Sequence, residues 1–369
     1  MSPLEHTARR FPLVARARPA CLPLGARVDH LAHLADQAAA TRGFVTASLV
    51  LNQAALLASD VGLPDLARAL CHRHAAAYLH ACPLDGATAI RALEPIVNLA
   101  RLNIRTGHPD EGHRQLLALL DAASKGHPVD IDGTTIPAGL TTDTGRAAVR
   151  AWLWAVLLSD GTRALTSMGR WAQARTHLQS HRGIGTRMLD GRQVAILAAL
   201  HAAAYGDAQT LLDSTTPGEA WEQHVTGCLR VLSRQAQHLD SAPLLGDLIE
   251  THVQGSVPEG LIVFSTRLGL TLLDMTPDPA AAHRLAAVLY GRIAATRDGY
   301  AARELLADRA FLEQATAAQI RECREVLRAS ALDGLGVEKH VLAALNAALN
   351  RAEQILCSAM TQACTIGQE

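Results

Sequence analysis

The sequence predicts an all-α protein built from helical hairpins, and three observations predict it. Ala and Leu dominate a chain that is 49% apolar, while aromatic residues, which favour strands, make up only 3%. Apolar residues recur at helical spacing through most of the 369 residues. Glycines then punctuate the apolar runs where a helix stop calls for positive φ.

The bulk figures narrow the function classes. A net charge of −1 gives no field for a polyanion, so no direct nucleic-acid partner is expected. No apolar run reaches the roughly 18 residues of a membrane span, and the first residues lack the apolar core of an export signal. Seven cysteines in such a chain fit reduced thiols in the cytoplasm. Residues 1–30, with Arg9, Arg10, Arg16, Arg18 and Arg27, read as a basic solvated tail.

From residue 31 onward a repeated grammar takes over: an apolar helix, a glycine, a short turn and an Ala/Leu-rich helix. The turn glycines are Gly62, Gly107, Gly169 and Gly206, spaced by 45, 62 and 37 residues. Pro64–Asp65 and Pro109–Asp110 suit the first turn of the following helix, where proline loses no bond and an acid complements the dipole. The long interval contains an insertion at 124–146, whose centre VDIDGTTIP alternates β-branched and polar residues around Gly133 and predicts a small hairpin. Residues 225–369 continue as helical hairpins. They end on KHVLAALNAALNRAEQILCSAM, a broad apolar face suited to capping the array or pairing with a second copy as a homodimer.

The stretches ALTSMGRWAQA and LARLNIRTGHPDEG carry the small–large–Gly–turn–Ala/Gly core of the tetratricopeptide repeat, and residues 45–215 resemble that family. The spacing exceeds the family's 34 residues and most consensus aromatics are missing. The resemblance implies an α-solenoid whose concave face is formed by the first helix of each pair.

Aligning repeats on their turn glycines puts Gln53, Asn98 and Asp160 in one column, and Leu56, Arg101 and Arg163 three residues later. Gln53, Asn98, Arg101, Asp160 and Arg163 would then form a polar stripe. It serves either to brace neighbouring helices or to receive a partner's carboxylate on arginine forks. A second candidate is the loop SHRGIGTRMLDGRQ, where Arg182, Arg187 and Arg192 with three glycines could nest a small anion and Asp190 could cap the next helix. Cys71, His74, Tyr78 and Cys82 share a helical face but read as core, and His177 and His181 as surface residues. Trp221 is expected to pack into a core. No Walker loop, hydrolase elbow or CxxC pair is present, so no cofactor is expected. The expected function is a cytoplasmic interaction module binding a peptide or protein segment, with the insertion placed to close over it. A ligand-responsive regulator acting through a DNA-binding partner, and an all-α enzyme using the same groove, stand as alternatives.

Overall fold

The computed structural model describes residues 3–334 and 336–366. It is 72% helix and 2% strand, which makes the chain all-α. Contacts divide it into two compact units, each drawn from separated stretches: unit 1 takes 1–23 and 165–332, unit 2 takes 24–164 and 333–369. These units do not follow the expected bounds at 30 and 224.

Unit 1 begins with α1 (Pro3–Ala8) and an irregular segment over 11–23, then continues after Leu165. Unit 2 starts with α2 (Leu24–Thr41), α3 (Phe44–Asp60), α4 (Pro64–Leu79), α5 (Gly86–Arg105) and α6 (Pro109–Lys125), each packed on the next. Gly62 (φ 79°) and Gly107 (φ 90°) adopt the left-handed turn the repeats require, and Pro64 and Pro109 start the next helices. The insertion holds β1 (Val129–Ile131) and β2 (Thr134–Ile136), paired antiparallel with Val129 opposite Ile136. Asp132 and Gly133, both at positive φ, form its tight turn. α7 (Arg146–Val156) runs into a π-helical turn at Leu157–Gly161, followed by α8 (Thr162–Ser167), within which the boundary between the units falls. Along the unit, α3 also touches α5 and α5 touches α7, so the first helix of each pair meets the first helix of the next.

The insertion is packed structure. Ile131 and Ile136 are buried, while Asp132 bonds to Arg68 and His72 Nδ1 meets Thr134 Oγ1 at 2.8 Å on α4. Beyond the hairpin, Leu84 exchanges backbone bonds with Leu140 and Thr142 (2.9 and 3.0 Å). Gly145 also packs backbone to backbone on Gly86, where an added Cβ would come within 2.8 Å of the Gly86 Cα.

The last helix, α19 in chain order (Lys339–Ile366), packs on α2 and α3 of unit 2 through Leu345, Leu349, Leu356 and Met360. Arg351 reaches Asp36 at 3.1 Å and Glu353 pairs with Arg73. The apolar face that suggested a homodimer is therefore covered by helices of the same unit.

In unit 1, α9 (Trp171–Ser180) and α10 (Asp190–His201) pack together, as do α10 and α11 (Tyr205–Asp213). Then come α12 (Ala220–Ala236), α13 (Ala242–Gln254), α14 (Ile262–Met275), α15 (Pro279–Thr296), α16 (Gly299–Leu306), α17 (Arg309–Gln314) and α18 (Ala317–Ala329). Here too alternate helices meet: α10 touches α12, α12 touches α14, and α14 touches α16. The turn between α10 and α11 is made by Ala203 (φ 52°), and Gly206 lies inside α11, three residues from the turn it was expected to form. Trp221 packs edge-on against Phe264, with ring centroids 5.8 Å apart.

The expected solvated tail is folded onto unit 1. Phe11, Leu13 and Cys21 are buried, and the basic residue Arg10 is paired with Asp274 and Asp308 rather than solvated. From Leu24 on, the supposed tail is already helix.

Candidate functional site

The polar stripe is real in unit 2, but its members differ from the aligned columns. Asn98 Nδ2 donates to Asn52 Oδ1 (2.6 Å), and Arg101 Nη1 donates to Asn98 Oδ1 (3.1 Å). Arg101 Nε and Nη2 then reach Asp160 Oδ2 at 2.9 and 2.7 Å. A ladder thus crosses from α3 through α5 to the π-turn. Asn52, one residue from the aligned Gln53, supplies the first rung, and Gln53 is half-buried beside it.

Asp160 carries an acid into an apolar helix because Arg101 of the neighbouring helix needs a partner. Asp160 lies in the π-turn that leads into α8, and α8 carries Arg163 three residues on. Arg163 is exposed on α8.

The ladder borders a shallow depression, open to solvent, lined by Ala55, Leu56 and Leu102. Arg101 and Arg105 stand at its rim with side chains 39% and 49% exposed. Arg105 Nη1 donates to Ser59 Oγ at 3.1 Å and lies 3.7 Å from Asp60, which also takes Arg27 at 3.0 Å. Both rim guanidiniums are held from behind and present part of their surface outward.

The arginine loop of unit 1 does not form the expected nest. Arg192 is buried and donates to the carbonyls of Gly185 and Leu211 (both 2.6 Å), to Ser214 Oγ (2.7 Å) and to Thr215 Oγ1 (2.8 Å). It braces the loop on the end of α11, and burial lowers its pKa. Arg187 grips the buried Glu222, whose carboxyl it holds below the usual range, and Glu222 also closes the capping box of α12. Arg182 is exposed in a left-handed turn. Leu189, which has no acceptor, occupies the N-cap of α10, while Asp190 is its first helical residue and pairs with Arg16 at 2.9 Å.

His74 sits in the core with Nε2 2.9 Å from Ser48 Oγ, its pKa pushed down to about 4 by burial. Burial also raises the Cys71 thiol to about 12, which keeps it protonated in the core. His177, expected at the surface, is buried, and its ring is tilted by 56° against that of His181 with centroids 4.8 Å apart. His6, Asp274 and Asp308 offer three metal-ligating atoms within 4.8 Å of one another. Arg10, however, bonds both carboxylates and supplies there the positive charge a metal would bring. Burial raises the Asp274 pKa, against the pull of Arg10.

A second polar set, in unit 1, was missed from sequence. Gln193, with 0% exposure on α10, accepts from Leu13 N–H and donates to Leu13 C=O, both at 2.7 Å. Cys21 N–H donates to Asp298 at 3.0 Å, and Arg18 N–H to the Gly260 carbonyl at 3.1 Å. The signal available was one amide in GRQVAILAAL and one acid in LTLLDM, single polar residues inside apolar helices.

No helix among the described residues is long and apolar enough to cross a membrane. Compared with protein-family models, with curated proteins and with solved structures, the chain matches none.

Proposed function

We propose that this chain is a non-catalytic interaction module, a tetratricopeptide-like array of helical hairpins that binds an acidic segment of a partner protein on unit 2. The carrying observation is the pair Arg101 and Arg105 at the rim of a shallow apolar-lined depression, each anchored by polar neighbours yet part-exposed. Guanidiniums held in place lose little entropy when a carboxylate docks, and Ala55, Leu56 and Leu102 lie beside them as a shallow apolar contact. Contacts between successive first helices, α3 to α5 and α5 to α7, support a solenoid reading of this unit. A cytoplasmic setting is supported by the free thiols of the six described cysteines.

Selection of a displayed random-peptide library on the purified full-length chain tests the reading. Acidic peptides should be enriched, and their affinity should fall about tenfold or more in Arg101→Ala and in Arg105→Ala. Enrichment that ignores both substitutions, or no enrichment at all, rejects it.

A further inference from the structure

The segment leading from α1 to α2 is held on unit 1 by burial of Phe11, Pro12 and Leu13 and by polar contacts at Arg10, Leu13 and, nearer solvent, Arg16. Arg10 donates to Asp274 of α14 (2.9 Å from Nη2, 3.2 Å from Nε) and to Asp308 at the start of α17. Leu13 buries its side chain while Gln193 reads both its N–H and its C=O. Arg16 reaches Asp190, at the start of α10.

The chemistry of this seat is that of a reading device. A segment needed only to cover apolar helices would be covered more cheaply by apolar groups. Burying two carboxylates and an amide carries a desolvation cost that is offset only when the complementary groups arrive. The amide of Gln193 matches any residue's backbone presented in one direction, and the carboxylates set the side chains permitted on either side. Beyond Leu13 the hold is by points, and Arg16 to Ala20 are exposed.

We propose that this seat is a recognition site for a partner protein's Arg-x-x-Leu-x-x-Arg segment, and that the chain's own residues 10–16 occupy it as a resident competitor. The site lies in unit 1 and is independent of the depression at Arg101. Tethering gives the resident segment an effective concentration on the order of millimolar, so a partner's segment binds only weakly until the resident one is loosened.

The test uses the full-length chain and a fluorescent peptide of residues 8–19, ARRFPLVARARP. In Leu13→Asp the resident segment cannot bury its anchor. This variant should bind the peptide about 100-fold more tightly than the unaltered chain, with one peptide per chain. Adding Gln193→Leu should abolish that binding, as should replacing the peptide's leucine by aspartate. Equal binding to both chains, or none to either while Leu13→Asp keeps its helical circular dichroism, overturns the proposal. If Leu13→Asp loses helicity, hydrogen exchange on the unaltered chain decides. Excess peptide should accelerate exchange at the Leu13 amide, and an unchanged rate overturns the proposal. An unaltered chain that dimerises by exchanging these segments in native mass spectrometry also overturns it, replacing the outside partner by a second copy.

Discussion

Unit 2 closes its polar residues among its own hairpins, with Asn52, Asn98, Arg101 and Asp160 passing hydrogen bonds from α3 to α5 to the π-turn. Unit 1 leaves Gln193, Asp274 and Asp308 to be met by a segment that belongs to no hairpin. The difference is one of burial. The Arg101 side chain is 39% exposed, whereas Arg10 is 14% exposed and faces carboxylates at 5% and 0%. A ladder near water is an adjustable surface, and a buried set is an obligation.

The largest break in that comparison should come from Arg10→Ala, which strands two buried carboxylates. Denaturant unfolding should show a loss of about 3–5 kcal/mol, the cost of removing one partner of a buried pair. A loss under about 1 kcal/mol would mean that the carboxylates find water and that the seat is open.

Acid should strike both units, for one reason in each. His74 in unit 2 titrates near 4 and His252 in unit 1 near 3, against 6.5 unfolded, both chiefly through burial, with Arg292 adding to the shift at His252. The unfolded chain binds more protons across those windows. Each contribution is therefore complete above pH 6.5 and is lost as pH falls towards the folded value. For His74 this is about 3 kcal/mol. Stability measured against pH should flatten between 6.5 and 4 in His74→Gln, and a slope identical to that of the unaltered chain would refute the assignment.

The insertion supplies a middle-sized effect. Ile136→Ala should cost about 2 kcal/mol, at the low end for a buried aliphatic because the residue already borders a depression. In limited proteolysis, residues 124–146 of the unaltered chain should resist early cutting. A first cut inside the hairpin would contradict its packing on α4.

The smallest effects sharpen the reading of the ladder. Arg101→Ala should cost about 1 kcal/mol, since its pair with Asp160 is part-exposed. Arg163→Ala, on the exposed side of α8, should cost under about 0.5 kcal/mol. Thermal melts of the two separate them, and equal shifts would give Arg163 the same bracing role as Arg101.

How far the sequence carried depends on the range of the interaction. Turns at Gly62 and Gly107, the prolines behind them and the Asp132–Gly133 hairpin are local backbone chemistry, and they were legible. Asn98, Arg101 and Asp160 were found by column alignment, which works while repeats keep register. It missed by one residue at Gln53, where the neighbouring Asn52 supplies the rung to Asn98. The seat of Leu13 was illegible because its two halves lie 180 residues apart, and periodicity carries no information across such a gap. The supposed tail showed only its charge; its partners are aspartates on helices far along the chain.

That α19 packs on α2 and α3 also has a meaning in time. Unit 2 has most of its helices made before those of unit 1 but closes last. Its hairpins are complete by residue 164, while the helix covering them begins at Lys339. At the usual rates of synthesis this leaves an uncovered apolar face for roughly 10–35 s. Unit 1, which needs nothing beyond residue 332, can close during that wait. During synthesis the protein therefore passes through a stage in which one half is finished and the other still lacks its cover. That stage, rather than the finished fold, is where such a chain is most exposed to aggregation.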